Sequence, residues 1–549
     1  MRWLEAVIFV GVVLALARPV GLYVLRVFER QPTIADRWLC PVDRWLYRAC
    51  GVDPRREMTA HEYFICFVFF AAAGSIFLLG LLLTQRWLPG SPADRFLTTP
   101  LSFDLAANTA ISFATTTTWQ AYAGESTLRY LTQTIGLVSQ NFLAGAAGLA
   151  VGIAFMRGFA REKSSTIGNF WVDIVRGTLW ILLPVSVAGA VLLVWQGVPA
   201  NFLPYGAAHT VEGPIQWIAH GPVATLEFIK NLGTNGGGFF NVNGAHPYAN
   251  PTPLTNFVGL LAIAVVPGAL PVTFGHLIGR PRAGMVLLAV MVILFAGGMW
   301  IVASADAGNM EGKEVRFGVR SSALTAVVTS NGATGSYNSM DDSYRPLAAL
   351  AITVNMLLGE IIFGGLGTGL SSMIMIALVG IVVAGLMIGR TPEYLGKTIR
   401  AEETRLIALY TLLTPAIVLT LTALAVVTGA GRAGVVTNTG PHGFTEIVFA
   451  YASSMANNGQ NMAGLNANSV FYNTTTAAAM LAGRFGLAAV ALLLAGRFAA
   501  QGRTATTVGT LPCDTPTFGA LVLGSVVLTG ALCFLPALAL GPVVDYFQH

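Results

Sequence analysis

The sequence predicts an all-α polytopic membrane protein of about ten transmembrane helices: four pseudo-repeated helix–pore-loop–helix units around a central pore, plus one extra helix at each end. Three observations predict it. Hydrophobic residues make up 54% of the chain and charged residues only 10%, against about a quarter charged in a soluble domain, and the mean hydropathy is +0.66. Apolar stretches long enough to cross a bilayer recur along the whole length. Between alternate pairs of them lie apolar segments too short to cross, which stop at clusters of Gly, Thr and Asn.

A helix needs about 20 apolar residues to cross the hydrocarbon. Spans are expected at 3–25, 62–84, 133–156, 171–195, 254–278, 283–303, 347–388, 405–428, 470–496 and 517–541. The start, Met1-Arg2-Trp3 followed by an apolar run to Leu25, lacks an A-x-A-like cleavage site and reads as a retained first span. The stretch 347–388 is too long for one simple crossing. It carries Glu360 and the run Gly364-Gly365-Leu366-Gly367-Thr368-Gly369, which predicts a helix broken in mid-membrane.

The connecting loops are of two kinds. One set is basic: Arg30, Arg37, Arg44, Arg48, Arg55 and Arg56 after the first span, then Arg157, Arg161 and Lys163, Arg280 and Arg282, Arg390, Lys397 and Arg400, Arg497 and Arg503. The positive-inside rule makes these cytoplasmic. With ten crossings, both termini are expected outside. The net charge of +5 is largely this loop surplus, so it speaks of topology and the lipid bilayer and argues against nucleic-acid binding. The five cysteines, Cys40, Cys50, Cys66, Cys513 and Cys533, form no CxxC and read as small hydrophobes.

The other loops hold the chemistry. The first apolar half-helix, 105–113, runs into Ala114-Thr115-Thr116-Thr117-Thr118-Trp119-Gln120. The second, 223–232, precedes Gly233-Thr234-Asn235-Gly236-Gly237-Gly238. The third, 323–328, precedes Thr329-Ser330-Asn331-Gly332-Ala333-Thr334-Gly335, and the fourth, 445–456, precedes Asn457-Asn458-Gly459-Gln460. Irregular backbone at membrane depth survives only where it is buried in protein or lines a cavity. Four such loops on one axis supply a ring of carbonyl oxygens of the kind that replaces a cation's water shell. The short helix before each loop aims its negative end at the cation. No acidic residue stands in these segments, which favours a neutral carbonyl cage over a calcium- or magnesium-type carboxylate site. The residues alone therefore imply a cation channel or cation transporter.

Longer motifs narrow the reading. Asn231-Leu232-Gly233-Thr234-Asn235-Gly236-Gly237-Gly238-Phe239-Phe240-Asn241, Gly359-Glu360-Ile361-Ile362-Phe363-Gly364-Gly365 and Gly440-Pro441-His442-Gly443-Phe444 are the most telling. Others are the run from Gly385 through Arg390-Thr391-Pro392-Glu393-Tyr394-Leu395-Gly396-Lys397, Asn309-Met310-Glu311-Gly312-Lys313-Glu314 and Ala482-Gly483-Arg484-Phe485-Gly486. Through these the chain closely resembles KdpA, the potassium-binding subunit family of the bacterial Kdp potassium-transporting ATPase, in the superfamily of potassium transporters. The resemblance implies ten helices, four outward-facing filters and potassium as the transported ion, with no other cofactor on this chain. It implies as partners a P-type ATPase subunit (KdpB-like), a single-span accessory subunit (KdpC-like) and a small KdpF-like peptide. It also implies an ion path from the filter along an intramembrane tunnel. The filter would comprise Thr115, Thr116, Thr117 and Thr118; Thr234, Asn235, Gly236 and Gly237; Ala333, Thr334 and Gly335; and Asn457, Asn458 and Gly459. Three filters depart from the family pattern. The first commonly reads Thr-Asn-Thr-Asn-Trp-Gln, the third often Ser-Cys-Gly, and Ser usually stands where Gln460 follows Asn-Asn-Gly.

Other polar residues are placed around this reading. Arg484 lies on a candidate span, where a charge serves a pathway or a pair; it lines the ion route below the fourth filter, or it snorkels from the inner interface. Glu360, with Gly364, Gly365 and Gly367, belongs to the pathway or gate, or caps backbone at the helix break. Asp104 reads as an N-terminal helix partner. His442 opens the fourth pore region and is expected to support a loop, with no transition-metal site. Gly396-Lys397-Thr398 lacks the earlier glycine of a phosphate loop, since Thr391 stands there, and no Asp-Lys-Thr-Gly phosphorylation motif occurs. The chain is thus expected to be a non-catalytic transport subunit in a bacterial inner membrane. Its expected divisions are 1–61 (first helix and basic loop), 62–170, 171–282, 283–404 and 405–510 (pore-loop units 1 to 4) and 511–549 (last helix). The alternatives are a stand-alone, potential-driven potassium transporter of the same superfamily, or a secondary transporter of an organic solute; the latter usually shows two inverted halves.

Overall fold

A computed structural model describes residues 3–504 and 511–548; Met1, Arg2, the end of the 405–510 division and His549 lie outside the described residues. Among the described residues ten helices are long and apolar enough to cross a membrane: Leu4–Phe28, Ala60–Trp87, Thr132–Ala160, Phe170–Trp195, Pro253–Leu277, Pro281–Ala305, Thr368–Met387, Ala401–Val427, Val470–Ala500 and Pro516–Gln548. We number them spans 1 to 10. Their starts are written locally. Proline occupies the first turn at Pro253, Pro281 and Pro516, where its missing N–H is no loss. Thr59 caps the second span reciprocally with Glu62.

Four half-helices sit between spans: Phe103–Ala114, Val223–Leu232, Gly318–Asn331 and Gly440–Ala456. The seventh span is broken as expected. Pro346–Leu357 is one half and Thr368–Met387 the other. Between them Gly359, Glu360, Phe363 and Gly367 take left-handed backbone angles that no helix can continue through.

Burial sorts the spans into two shells. The most apolar stretch of span 3 is 89% buried and those of spans 5 and 7 are 72% buried, whereas spans 2 and 8 reach only 22%. The helix that follows each half-helix is therefore an inner one, and the helix that precedes it faces outward. Span 3 can be so buried because its middle is rich in small residues, seven of the ten from Gly145 to Ala154 being Gly or Ala, which lets backbones approach closely. A methyl group on Gly148 would lie 2.8 Å from the Leu366 carbonyl oxygen, in the break of span 7.

Four elements lie outside the sequence-based expectation. An amphipathic helix, Asp36–Ala49, occupies the first basic loop, with Trp38, Val42 and Trp45 exposed along one face. A small hairpin pairs Gly206–His209 with Ile215–Ile218. The third half-helix begins five residues before position 323 and runs three beyond 328. Wide, π-type turns interrupt spans 3, 4, 9 and 10, the one in span 9 being Ala482–Gly486.

At the basic face one buried cluster joins four spans. Arg157 Nη1 lies 2.7 Å from Asp173 Oδ2, and their side chains are 7% and 3% exposed. Tyr63 donates its hydroxyl to the same carboxylate at 3.0 Å, and Arg157 Nη2 donates to the Phe28 carbonyl at 2.9 Å. Removing one partner of a buried pair leaves an uncompensated charge, which costs about 3–5 kcal/mol. Asp173→Ala is therefore expected to lower the thermal unfolding midpoint of the detergent-purified protein by several degrees. A midpoint equal to wild type would mean that the cluster does not hold these spans together.

Candidate functional site

The four loops repeat one backbone pattern, aligned by their half-helices. Left-handed angles occur at Thr116, Thr234, Ala333 and Asn457, the first or second residue beyond each half-helix. Two residues on they recur at Thr118, Gly236 and Gly459. A β-branched residue in this region is an outlier, and such strain collects at functional sites. Here three threonines adopt it at matching positions. Alternating handedness along a strand rotates successive peptide planes, so that neighbouring carbonyls can face one side.

The loops touch in sequence and close a ring. Thr118 donates its hydroxyl to the Asn235 carbonyl at 2.6 Å, joining loop 1 to loop 2. Gly236 and Gly335 form a parallel backbone bridge between loops 2 and 3. A methyl on Gly335 would lie 2.6 Å from the carbonyl carbon of Gly459, and one on Gly459 would strike the Thr117 carbonyl oxygen. Asn457 Nδ2 donates to Thr117 Oγ1 at 3.0 Å and completes the circuit from loop 4 to loop 1. No donor among the described residues reaches the carbonyl oxygens of Thr116, Thr117, Asn457 or Asn458.

Cavities lie on both sides of the ring. On the loop face an open vestibule of about 820 Å³ has Thr118, Gly237, Gly335 and Gly459 among its lining residues, one from each loop. On the other side a chamber of about 20 Å³ is lined by Thr116, Thr234, Ala333 and Asn457, again one from each loop, together with Gly365 and Arg484. That space suits a single water or ion. A further cavity of about 60 Å³ shares Asn457 and Arg484 and continues past Glu360, Gly367, Ser371, Ser372 and Tyr410.

Each expected residue can now be placed. Thr115 ends the first half-helix and gives its hydroxyl to Ile111, so it stands one step before the ring. Arg484 sits in the π turn of span 9, donates to the Ala144 carbonyl at 2.8 Å and lies over the Phe67 ring. No carboxylate among the described residues pairs with it. This buried position under the loops replaces the snorkelling alternative. Glu360 does not cap the helix break: Asn458 Nδ2 donates to its Oε1 at 2.7 Å, so its carboxylate anchors loop 4. Gly365 lies against Ala333, and the Leu366 N–H donates to Thr234 Oγ1 at 3.0 Å, which brings the break of span 7 directly under loops 2 and 3. Gly364 closely approaches the Glu360 carbonyl. Asp104 lies in the first turn of the first half-helix and accepts from Asn473 Nδ2 at 2.8 Å.

Several supporting residues were not anticipated. Lys230 is fully buried in the last turn of the second half-helix, paired with Glu227 at 2.7 Å. It donates to Asn243 Oδ1, whose amide in turn donates to the carbonyls of Gly237 and Gly335. Only the oddity of a lysine in an apolar half-helix signalled it. Gln460 donates to Asp341 Oδ2 at 2.8 Å. Burial pushes the Asp341 carboxyl up to about 7, with the Gln460 bond opposing. Lys313 pairs with buried Asp306 at 2.8 Å and lies over the Tyr344 ring, which gives the Asn309–Glu314 motif a place beside the vestibule.

Comparison with known proteins places the chain in a family. The family profile described as potassium-transporting ATPase A subunit (KdpA) matches residues 7–547. A potassium-transporting ATPase potassium-binding subunit from Methylorubrum extorquens is 48% identical, covering 99% of this chain and 97% of that protein. Proteins of the same description from Bradyrhizobium diazoefficiens and Ralstonia nicotianae are each 45% identical, covering 99% and 100% of this chain and 98% and 99% of their own.

Behind Phe240 of the vestibule wall stands a group with a readable pH dependence. His246 stacks on Phe240 at 3.6 Å, and burial, then the nearby Arg316, push it down to about 4. A histidine held below its unfolded value of about 6.5 stabilises the fold fully above pH 6.5 and loses that contribution as the pH falls toward 4. His246→Phe is expected to flatten this part of the profile of unfolding midpoint against pH between 7 and 4. A profile of unchanged slope would show that His246 stays hydrated.

Proposed function

The chain belongs to the KdpA family of potassium-transporting ATPase A subunits, and from that premise we propose how it binds potassium and passes it on as one subunit of an ATP-driven uptake pump. The observation that carries the reading is the closed ring of four loops with left-handed residues in register and donor-free carbonyls at Thr116, Thr117, Asn457 and Asn458, between an open vestibule and a chamber for one ion. Potassium enters the vestibule from outside and sheds water within the ring of Thr116–Thr118, Thr234–Gly237, Ala333–Gly335 and Asn457–Gly459, whose donor-free carbonyls replace its hydration shell. Below the ring it meets Arg484. That fixed positive charge keeps the chamber from becoming a second deep well and discourages return. The onward route follows the hydroxyl-lined cavity beside Glu360 and the break of span 7, whose Gly364, Gly365 and Gly367 form the gate.

The work comes from elsewhere. This chain carries no nucleotide-binding or phosphorylation motif, so the proposal makes it non-catalytic and gives ATP hydrolysis to a KdpB-like P-type ATPase subunit. A KdpC-like single-span subunit and a KdpF-like peptide complete the complex in the bacterial inner membrane. Residues 62–170, 171–282, 283–404 and 405–510 act as the four pore-loop units, and both termini lie outside.

Gly236 gives the sharpest test. Its φ is +87°, and a methyl there would lie 2.7 Å from the Gly335 Cα. Gly236→Asp brings both steric conflict and a charge into the ring. In potassium-starved cells carrying the partner subunits, the variant is expected to raise the potassium concentration for half-maximal uptake at least tenfold, with normal amounts of protein in the membrane. That is about 1.4 kcal/mol of lost binding. Unchanged uptake at low potassium would remove loop 2 from the site.

A further inference from the structure

A second group of cation ligands stands apart from the ring. The fourth half-helix places His442 and Glu446 one turn apart on a single face. Asp342 meets them from the turn Asp341–Ser343, just before the broken span. His442 Nε2 lies 3.0 Å from Asp342 Oδ1. One ligand atom from each of Asp342, His442 and Glu446 falls within 4.8 Å of the other two.

What surrounds these three residues resembles the outer shell of a metal site. The other imidazole nitrogen, Nδ1, lies 3.0 Å from Asp545 Oδ2 of the last span. A histidine that gives its Nδ1 proton to a carboxylate presents the Nε2 lone pair to a metal, a recurrent way of fixing tautomer and ring direction. Asn438 Nδ2 donates to Asp342 Oδ2 at 3.3 Å and to Glu446 Oε1 at 2.7 Å, so it holds one oxygen of each carboxylate and leaves the other for an ion. Glu446 is 0% exposed, and its Oε2 has no hydrogen-bond partner among the described residues. A buried carboxylate oxygen without a donor is costly, and a metal would satisfy it. Gly464 presents bare backbone to Glu446 and Thr437, and a side chain there would fill the carboxylate's space. The site also reaches solvent: the side chains of His442 and Asp342 are 21% and 12% exposed.

We propose that Asp342, His442 and Glu446 form a binding site for a divalent transition metal, zinc above all, with Asp545 and Asn438 as orienting residues. Zinc holds imidazole nitrogen and carboxylate oxygen at about 2.0–2.2 Å, so two ligand atoms on one ion stand about 3.0–3.5 Å apart. The observed 3.0 Å between Nε2 and Oδ1 falls in that range, and the Glu446 oxygen, within 4.8 Å of both, moves inward when the ion binds. One imidazole with two carboxylates suits zinc, whereas potassium, magnesium and calcium prefer oxygen alone. The bound ion joins the half-helix of loop 4 to the turn before span 7, and Asp545 ties that pair to span 10. Its neighbour Asp341 is bonded to Gln460 of loop 4, so the metal braces the outer wall of that loop. The plainer alternative is a metal-free clasp, with His442 bridging two carboxylates.

The two separate on metal binding. The full chain, purified in detergent and stripped with a chelator, is dialysed against micromolar zinc chloride, and retained zinc is measured by mass spectrometry. Wild type is expected to keep one zinc per chain and to show one imidazole nitrogen among oxygens in its zinc X-ray absorption spectrum. His442→Gln is expected to lose the stoichiometric zinc, and Asp545→Asn to bind it about 10–100-fold more weakly, as orienting residues do. No retained zinc in wild type, equal retention in His442→Gln, or a spectrum without imidazole scattering overturns the proposal. The wild-type spectrum decides alone if either variant fails to fold.

Discussion

Everything in this molecule is arranged around exposed backbone polarity in a place where water is scarce. Carbonyl groups left without a donor inside an apolar bundle are costly, and here those of Thr116, Thr117, Asn457 and Asn458 stand in a ring of four loops whose backbone is already held in disfavoured angles. That arrangement persists only if its surroundings over-determine it. The surroundings do so in three ways: by contact between loops, by polar side chains behind them, and by a shell of inner helices slim enough to let loops and breaks reach the axis. The small-residue run of span 3 and the break of span 7 are two sides of one contact, since a methyl on Gly148 would meet the Leu366 carbonyl and one on Gly367 the Gly148 carbonyl.

Electrostatics divides the site along its axis. Above and within the ring the groups are neutral or paired: Lys230 is matched by Glu227, and Lys313 by Asp306. Below it, Arg484 is a buried cation that, among the described residues, meets a carbonyl and an aromatic face and no carboxylate. A cation in the ring would be attracted by the C-terminal ends of half-helices and repelled from beneath. Such a gradient would favour tight holding and make release depend on a further change. Glu360 stands where both meet, since its carboxylate holds Asn458 of loop 4 while its backbone lies in the break of span 7.

Much of this was legible in the sequence, because hydropathy and small-residue clusters are local signals. The ten spans, the four half-helices and the mid-membrane break all follow from runs of a dozen or so residues. The third half-helix shows where local reading stops. Thr329, Ser330 and Asn331 look like loop residues, yet Ser330 and Asn331 turn their side chains back to the Val327 carbonyl and extend the helix. The Asp36–Ala49 helix was obscured because its apolar face is too short for a hydropathy signal. Lys230 with Asn243, Asp341 with Gln460 and Asp342 with His442 and Asp545 were out of reach for another reason. The last two sets come together only when separate units assemble, at separations of 100 to 119 residues, and Lys230 meets Asn243 13 residues away across irregular backbone that has no sequence period.

The departures from the family's usual filter residues bear on what sets the geometry of the ring. Thr116 turns its hydroxyl back to the Thr115 carbonyl and Thr334 to that of Gly332, so both spend their polarity within their own loop. Ala333 offers no polar side chain and still takes the left-handed angle shared by Thr116, Thr234 and Asn457. The common feature at that position is thus a backbone angle, with four different surroundings and three side-chain types. Thr118 and Gln460 differ in kind, because each reaches outside its loop, to Asn235 and to Asp341. Carbonyl placement is therefore carried by backbone contacts that all four loops share. Among the departing residues these two ties are the long-range ones, and there the exchange of one polar residue for another changes what holds the loop.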